Sequence, residues 1–124
     1  MHYSLRVGLI SVVLALATIA AVILAPKETE VTVAAQAPNG GNVALDSPIS
    51  VTFSRPVDHR SAERAFALYP PVRGRFTWQD QTLLFQPFEL LRAQTTYRVT
   101  IRPGLRDTRG HTNRFMTSWP FRTR

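Results

Sequence analysis

Residues 81–101 read QTLLFQPFELLRAQTTYRVTI. The stretch contains two strand-like runs, one closing at Phe85 and one from Thr96 to Ile101, joined across Pro87 and the pair Leu90-Leu91. In the second run Tyr97, Val99 and Ile101 alternate with Arg98, Thr100 and Arg102, the period of two that turns one set inward and the other toward solvent. Residues 87–91 are expected to form a crossing turn, with Leu90 or Leu91 plugging the end of a sandwich. Apart from Glu89 nothing here suits acid–base chemistry or metal ligation, so the stretch is a scaffold.

The same pattern extends in both directions. EVTVAA, from Glu30, is a first strand, and 37–42 (APNGGN) reads as a turn cluster because Asn and Gly tolerate positive φ. Ile49, Val51 and Phe53 alternate along a half-buried strand. Asp58 and Ser61 can each cap a short helical turn before the chain extends again through 66–69. Val72, Gly74, Phe76 and Trp78 share one face of the next run, and Leu83 and Phe85 continue it. The last strand runs from Phe115 to Thr123 with Trp119 and Phe121 inward, and Pro120 implies an edge or a bulge. Short runs spaced by turns at intervals of about 8 to 12 residues predict an all-β sandwich. Phe53, Phe76, Trp78, Phe85, Tyr97 and Trp119 are its expected aromatic core, each removing about 150 to 250 Å² from water.

At 124 residues the chain has room for one such domain with appendages. Cysteine is absent, which excludes disulfides, thiolate metal sites and a cysteine nucleophile. The major appendage is VGLISVVLALATIAAVILA, residues 7–25, an uncharged run. As a helix it would be about 28 Å long, enough for a bilayer core of about 30 Å. It exceeds the apolar core of about 7 to 15 residues usual in a signal peptide, and the best late small-x-small site, 33–35, lies well beyond it. The expected organisation is therefore a cytoplasmic n-region at 1–6, a transmembrane signal anchor at 7–25 (with a cleaved signal peptide as the alternative), a linker at 26–29 and the sandwich at 30–124. The domain then faces the periplasm or the cell exterior. Its net charge of +7, carried by fourteen arginines and one lysine, points to anionic envelope partners, with no nucleic acid.

One order of motifs runs through the exported part. Pro48-Ile49-x-Val51-x-Phe53-Ser54-x-Pro56-Val57-Asp58 is followed by Leu68-x-Pro70, Val72-x-Gly74-x-Phe76-x-Trp78 and Leu83-x-Phe85-x-Pro87. Then come Leu91, Thr96-Tyr97-x-Val99-x-Ile101, Asp107-x-x-Gly110 and Phe121-x-Thr123. Together these resemble the bacterial Ig-like domain of the type found in S-layer proteins. The resemblance implies a fibronectin-like β-sandwich of about seven strands, without catalytic residues, used as a spacer, stalk or accessory module in envelope proteins. It also implies that such a domain can precede the catalytic module of a cell-wall enzyme. A more distant likeness to periplasmic copper carriers, which are also sandwiches, gives a third reading.

The chemistry-bearing residues are weighed against that frame. Asp58, His59 and Ser61 are triad-type residues, but neighbours on one turn point apart, so a capping turn is expected. His59 and His111 with Asp107 would be candidates for a metal, with solvated loops as the expected state; no cofactor is assigned. Asp107-Thr108-Arg109-Gly110 has one carboxylate, too few oxygens for calcium, and reads as an Asx-type turn. The remaining candidate is a basic interaction face: Arg98, Arg102 and Arg122, with Arg124, on adjacent strands, and Arg106, Arg109 and Arg114 in the adjoining loop. Guanidinium groups match carboxylate and phosphate bidentately, so this face suits an envelope protein, lipid headgroups or an anionic wall polymer, not a small-molecule substrate. The expected function is a non-enzymatic, membrane-anchored module.

Overall fold

Strands pair through their backbone hydrogen bonds, and here eight strands do so in two sheets. The computed structural model describes residues 30–124; the expected n-region at 1–6, anchor at 7–25 and linker at 26–29 lie outside the described residues. The first sheet has the order β1-β3-β6-β5, built from β1 (Val33–Ala37), β3 (Ile49–Phe53), β6 (Thr82–Pro87) and β5 (Gly74–Gln79). The second has the order β2-β8-β7-β4, from β2 (Gly40–Val43), β8 (Thr117–Thr123), β7 (Thr96–Ile101) and β4 (Phe66–Tyr69). A single short helix, α1 (His59–Ala65), links β3 to β4. Among the described residues no helix is long and apolar enough to cross a membrane.

The core lies between the sheets. Ile49, Val51 and Phe53 of β3 and Leu83 and Phe85 of β6 meet Tyr97, Val99 and Ile101 of β7 and Trp119 and Phe121 of β8, all buried. Each set is the inward half of an alternating strand, as the period of two requires. Leu91, not Leu90, plugs the sandwich: Leu91 is 2% exposed and Leu90 68%. Gly74 has a steric reason for lacking a side chain, since a Cβ there would come within 2.5 Å of both the Gln86 carbonyl oxygen and the Phe85 ring.

Four expectations need correction. The sandwich has eight strands, because the predicted turn at 37–42 contains a strand: β2 pairs in parallel with β8, through Gly40↔Phe121 and Val43↔Thr123. The first strand starts later than Glu30, at Val33, although Val31 is already buried. Phe76 and Trp78 do point inward, but β5 is an edge strand, so both are only half-buried against the core. Phe115 stays outside the last strand and is exposed. Pro120 sits in an inner strand, beside the stretch where the β2–β8 register is irregular, which is the bulge alternative of the prediction.

Two ends of the sandwich follow from this topology. The proximal end is where the chain enters at Glu30: it collects the end of β3, α1, the β5–β6 turn and the loop 102–116. Ser54 N–H donates to the Thr32 carbonyl at 2.8 Å, and Arg114 pairs with Glu30 at 3.2 Å, which fixes the entry point against that loop. The distal end carries the crossing segment 88–95, the β4–β5 connection and Arg124.

Candidate functional site

The basic face is built by register. Tyr69 of β4, Arg98 of β7 and Pro120 of β8 stand opposite one another, as do Ala67, Thr100 and Ser118, and Thr96 faces Arg122. Directly paired residues share a face of the sheet, so Arg98 and Arg122 are diagonal neighbours on the outside, flanked by the exposed Tyr69. No residue of this set is acidic. The two guanidinium groups are braced by hydroxyls rather than carboxylates: Arg98 donates to Ser118 Oγ at 3.0 Å and Arg122 to Thr96 Oγ1 at 3.1 Å. Their charge therefore remains uncompensated by any ion pair from the face itself.

Arg102 is exposed but committed elsewhere. Its guanidinium donates to the Arg64 carbonyl at 2.7 Å, satisfying a carbonyl in the last turn of α1. Arg106 and Arg109 lie beyond β7, in the loop. The main chain of Arg106 is pinned on both sides: its N–H donates to Ser61 Oγ and its carbonyl accepts from Asp58 N–H. The predicted stripe thus divides into a sheet group, Arg98 and Arg122, and a loop group, Arg106 and Arg109, with Arg102 between them acting as a strut.

The loop group is positioned by Asp107. Its carboxylate is buried and accepts from the backbone N–H of Arg109 at 2.9 Å and of His111 at 2.7 Å, and from His111 Nδ1 at 2.9 Å, with Arg55 at 3.5 Å. Burial pushes the carboxyl pKa up, but these hydrogen bonds and the His111 charge together outweigh it and hold Asp107 below its ordinary value. Arg55, Pro56, Asp107, Thr108, Arg109 and His111 surround a recess of about 420 Å³. Farther along, Asn113 Oδ1 accepts from the N–H groups of Gly104 and Leu105 and its amide donates to the Arg102 carbonyl. Neither Asn113 nor Arg55 was expected from sequence. The partners of Asn113 lie eight to eleven residues away, out of reach of a local turn rule.

The other candidates resolve into structural roles. Asp58 is the N-cap of α1, its Oδ2 accepting from Ser61 N–H at 3.0 Å, and Ser61 Oγ turns to the Asp58 carbonyl and to Arg106. His59 leaves in another direction and stacks on Trp78, with centroids 3.9 Å apart and planes 2° from parallel. The three triad-type side chains therefore diverge. Among the described residues no three metal-ligating side chains converge. Asp107-x-x-Gly110 is a turn closed by the carboxylate, as the Asx reading has it.

The described architecture can be set beside known proteins. The bacterial Ig-like domain family matches residues 25–123. No curated protein matches the chain. Among solved structures, an L,D-transpeptidase from Mycobacterium smegmatis is 28% identical with a TM-score of 0.59, over 75% of this chain and 39% of that one. L,D-transpeptidase 3 from Mycobacterium tuberculosis is 26% identical with a TM-score of 0.53, over 74% of this chain and 37% of that one. Domains 1–6 of the surface layer protein SbsC match at 20% identity and a TM-score of 0.55, over 75% of this chain and 13% of that one, a likeness of fold. The chain spans less than two fifths of the length of either transpeptidase, leaving most of each enzyme unmatched.

Proposed function

The chain belongs to the bacterial Ig-like domain family, and from that premise we propose that it is a non-enzymatic, membrane-anchored module of the cell envelope. In this reading residues 7–25 span the membrane once and the sandwich stands outside it, periplasmic or extracellular, holding an envelope protein or an anionic wall polymer close to the bilayer. The observation that carries the interaction role is the outer face of the second sheet, where Arg98 and Arg122 adjoin Tyr69 and no acidic residue answers them. An arginine–tyrosine surface of this kind supplies bidentate charge recognition beside a rigid aromatic contact.

The test is cross-linking of the full-length protein in membranes, followed by pull-down, with Arg98→Glu/Arg122→Glu as the comparison. A protein or polymer recovered with the parent and lost from the double variant supports the reading. Identical recovery from both overturns the role of this face. Arg102 is kept intact because its bond to α1 would mix stability with binding.

A second reading is favoured by the transpeptidase likeness: an accessory domain working with a cell-wall enzyme of that class. It predicts that the cross-linked partner is itself a wall-modifying enzyme, or that the open reading frame continues past Arg124 into one.

A further inference from the structure

The loop 102–116 carries a feature that the sheet face does not use. At its C-terminal end Phe115 and Met116 are 76% and 62% exposed, two large apolar side chains standing side by side in solvent. The same loop exposes Arg106, Arg109 and Arg114, while its one carboxylate, Asp107, is turned inward and buried. Neighbouring α1 adds Arg60 and Arg64 against Asp58 and Glu63, close to neutral, and the β5–β6 turn adds Asp80. The loop itself therefore sets the sign of this surface. Glu30, which would otherwise repel an anionic partner at this spot, is paired with Arg114.

We propose that this proximal tip docks on an anionic lipid surface, with Phe115 and Met116 entering the headgroup layer and Arg106 and Arg109 meeting lipid phosphates. The inference rests on the anchored reading above, and three observations choose the lipid as occupant. The first is position: Glu30 and Phe115 line the same small depression together with Val31, Val33 and Leu105, so the tip lies at the point where the chain enters the fold. The second is reach. The uncharged run ends at Ala25, and the four intervening residues extend at most roughly 14 Å, which holds the entry point near the bilayer. The third is chemistry: exposed apolar side chains on the same loop as exposed arginines, whose stems can lie along apolar surface while their heads stay wet, match the boundary between acyl chains and headgroups.

The absence of cysteine in the chain makes single labels clean. Full-length protein reconstituted into vesicles would carry one environment-sensitive fluorophore through Met116→Cys, Glu89→Cys at the distal end, or Ser11→Cys within the apolar run. Quenching by spin-labelled lipid is then compared between pure phosphatidylcholine and a mixture with phosphatidylglycerol. The expected result is strong quenching at 116 with the anionic mixture, weaker quenching in phosphatidylcholine or at high salt, and none at 89. Each arginine near an anionic surface multiplies the docked population about fivefold, so Arg106→Glu/Arg109→Glu should return the signal at 116 to that at 89. Quenching at 11 with none at 116 overturns the docking while keeping the anchor. Absence of quenching at 11 overturns the anchor instead, and the signal at 116 still decides the docking by itself. Equal quenching at 116 in both lipid mixtures overturns the assignment to arginine. Met116 is exposed, so the label leaves the core intact; an unchanged near-ultraviolet circular dichroism spectrum checks this.

Discussion

The two ends of this sandwich close the same core by different physics. At the distal end an apolar side chain does most of the closing, joined by the buried Thr123 hydroxyl, which donates to the Arg92 carbonyl and accepts from the Thr95 N–H at 2.9 Å. Leu91 is buried beneath the crossing segment, and the Tyr97 hydroxyl accepts the Arg92 N–H at 3.0 Å, the tyrosine-corner arrangement in which one ring fixes an irregular connection. At the proximal end polar side chains do it. Asn113, Asp107 and Ser61 are buried, and each bonds main-chain groups of the long loop or of the turn into α1. A long loop with few inward apolar residues cannot be held by burial alone, so its backbone donors must be answered by side chains. The contrast teaches that a short crossing segment can be closed by one buried leucine and two hydroxyls, whereas the longer proximal loop needs several buried polar side chains to hold its main chain.

Substitutions can break that contrast in order of expected size. Leu91→Ala should cost about 2 to 5 kcal/mol, the range for a buried leucine losing its packing, whereas Leu90→Ala beside it should stay within about 0.5 kcal/mol. Urea unfolding of the two variants checks the difference; equal losses would mean that the crossing segment is not closed by one side chain. Asn113→Ala leaves the Gly104 and Leu105 N–H groups and the Arg102 carbonyl without their partner, an expected loss of about 2 to 3 kcal/mol at the opposite end. Amide hydrogen exchange should show the loss of protection concentrated in 102–116.

Tyr97→Phe keeps the ring in the core and removes only the acceptor for Arg92, so about 1 kcal/mol is expected, read as a small drop in melting temperature. The subtlest test uses pH. Asp107 is held below its ordinary 3.8, so its contribution is fully present above that value and is lost as pH falls through the lower folded-state pKa. Acid should therefore loosen the proximal loop before the distal end, a divergence visible by hydrogen exchange or by fluorescence from a label at 116. In Asp107→Asn this acid-specific step should be missing.

Most of the sandwich was legible because its inner strands obey a strict period. Tyr97, Val99 and Ile101 could be placed inward from spacing alone, and so could Ile49, Val51 and Phe53. Legibility fails where pairing is non-local. Gly40-Gly41-Asn42 offers no buried side chain, since that stretch of β2 is exposed and becomes a strand only because β8 lies alongside it. Trp78 was assigned to the correct face but not to the correct depth, for periodicity says nothing about whether a strand stands at an edge. Leu90 and Leu91 are equivalent in sequence, and only the crossing geometry selects one. In the candidate site the arginines were visible as charge, while the side chains that hold the loop, Asn113 above all, were hidden by the distance to their partners.

The parallel pairing of β2 with β8 has a mechanical meaning. Both strands run from the proximal to the distal end, and β8, seven residues long, spans about 23 Å. Tension applied between Glu30 and Arg124 pulls the two strands in opposite directions along a common axis, so their bonds are sheared together instead of being peeled apart singly. Resistance to such a pull is governed by the rate of unfolding, not by equilibrium stability. A domain fastened at one end and loaded at the other would thus carry force in shear across β2 and β8, the strand pair that local sequence patterns left least visible.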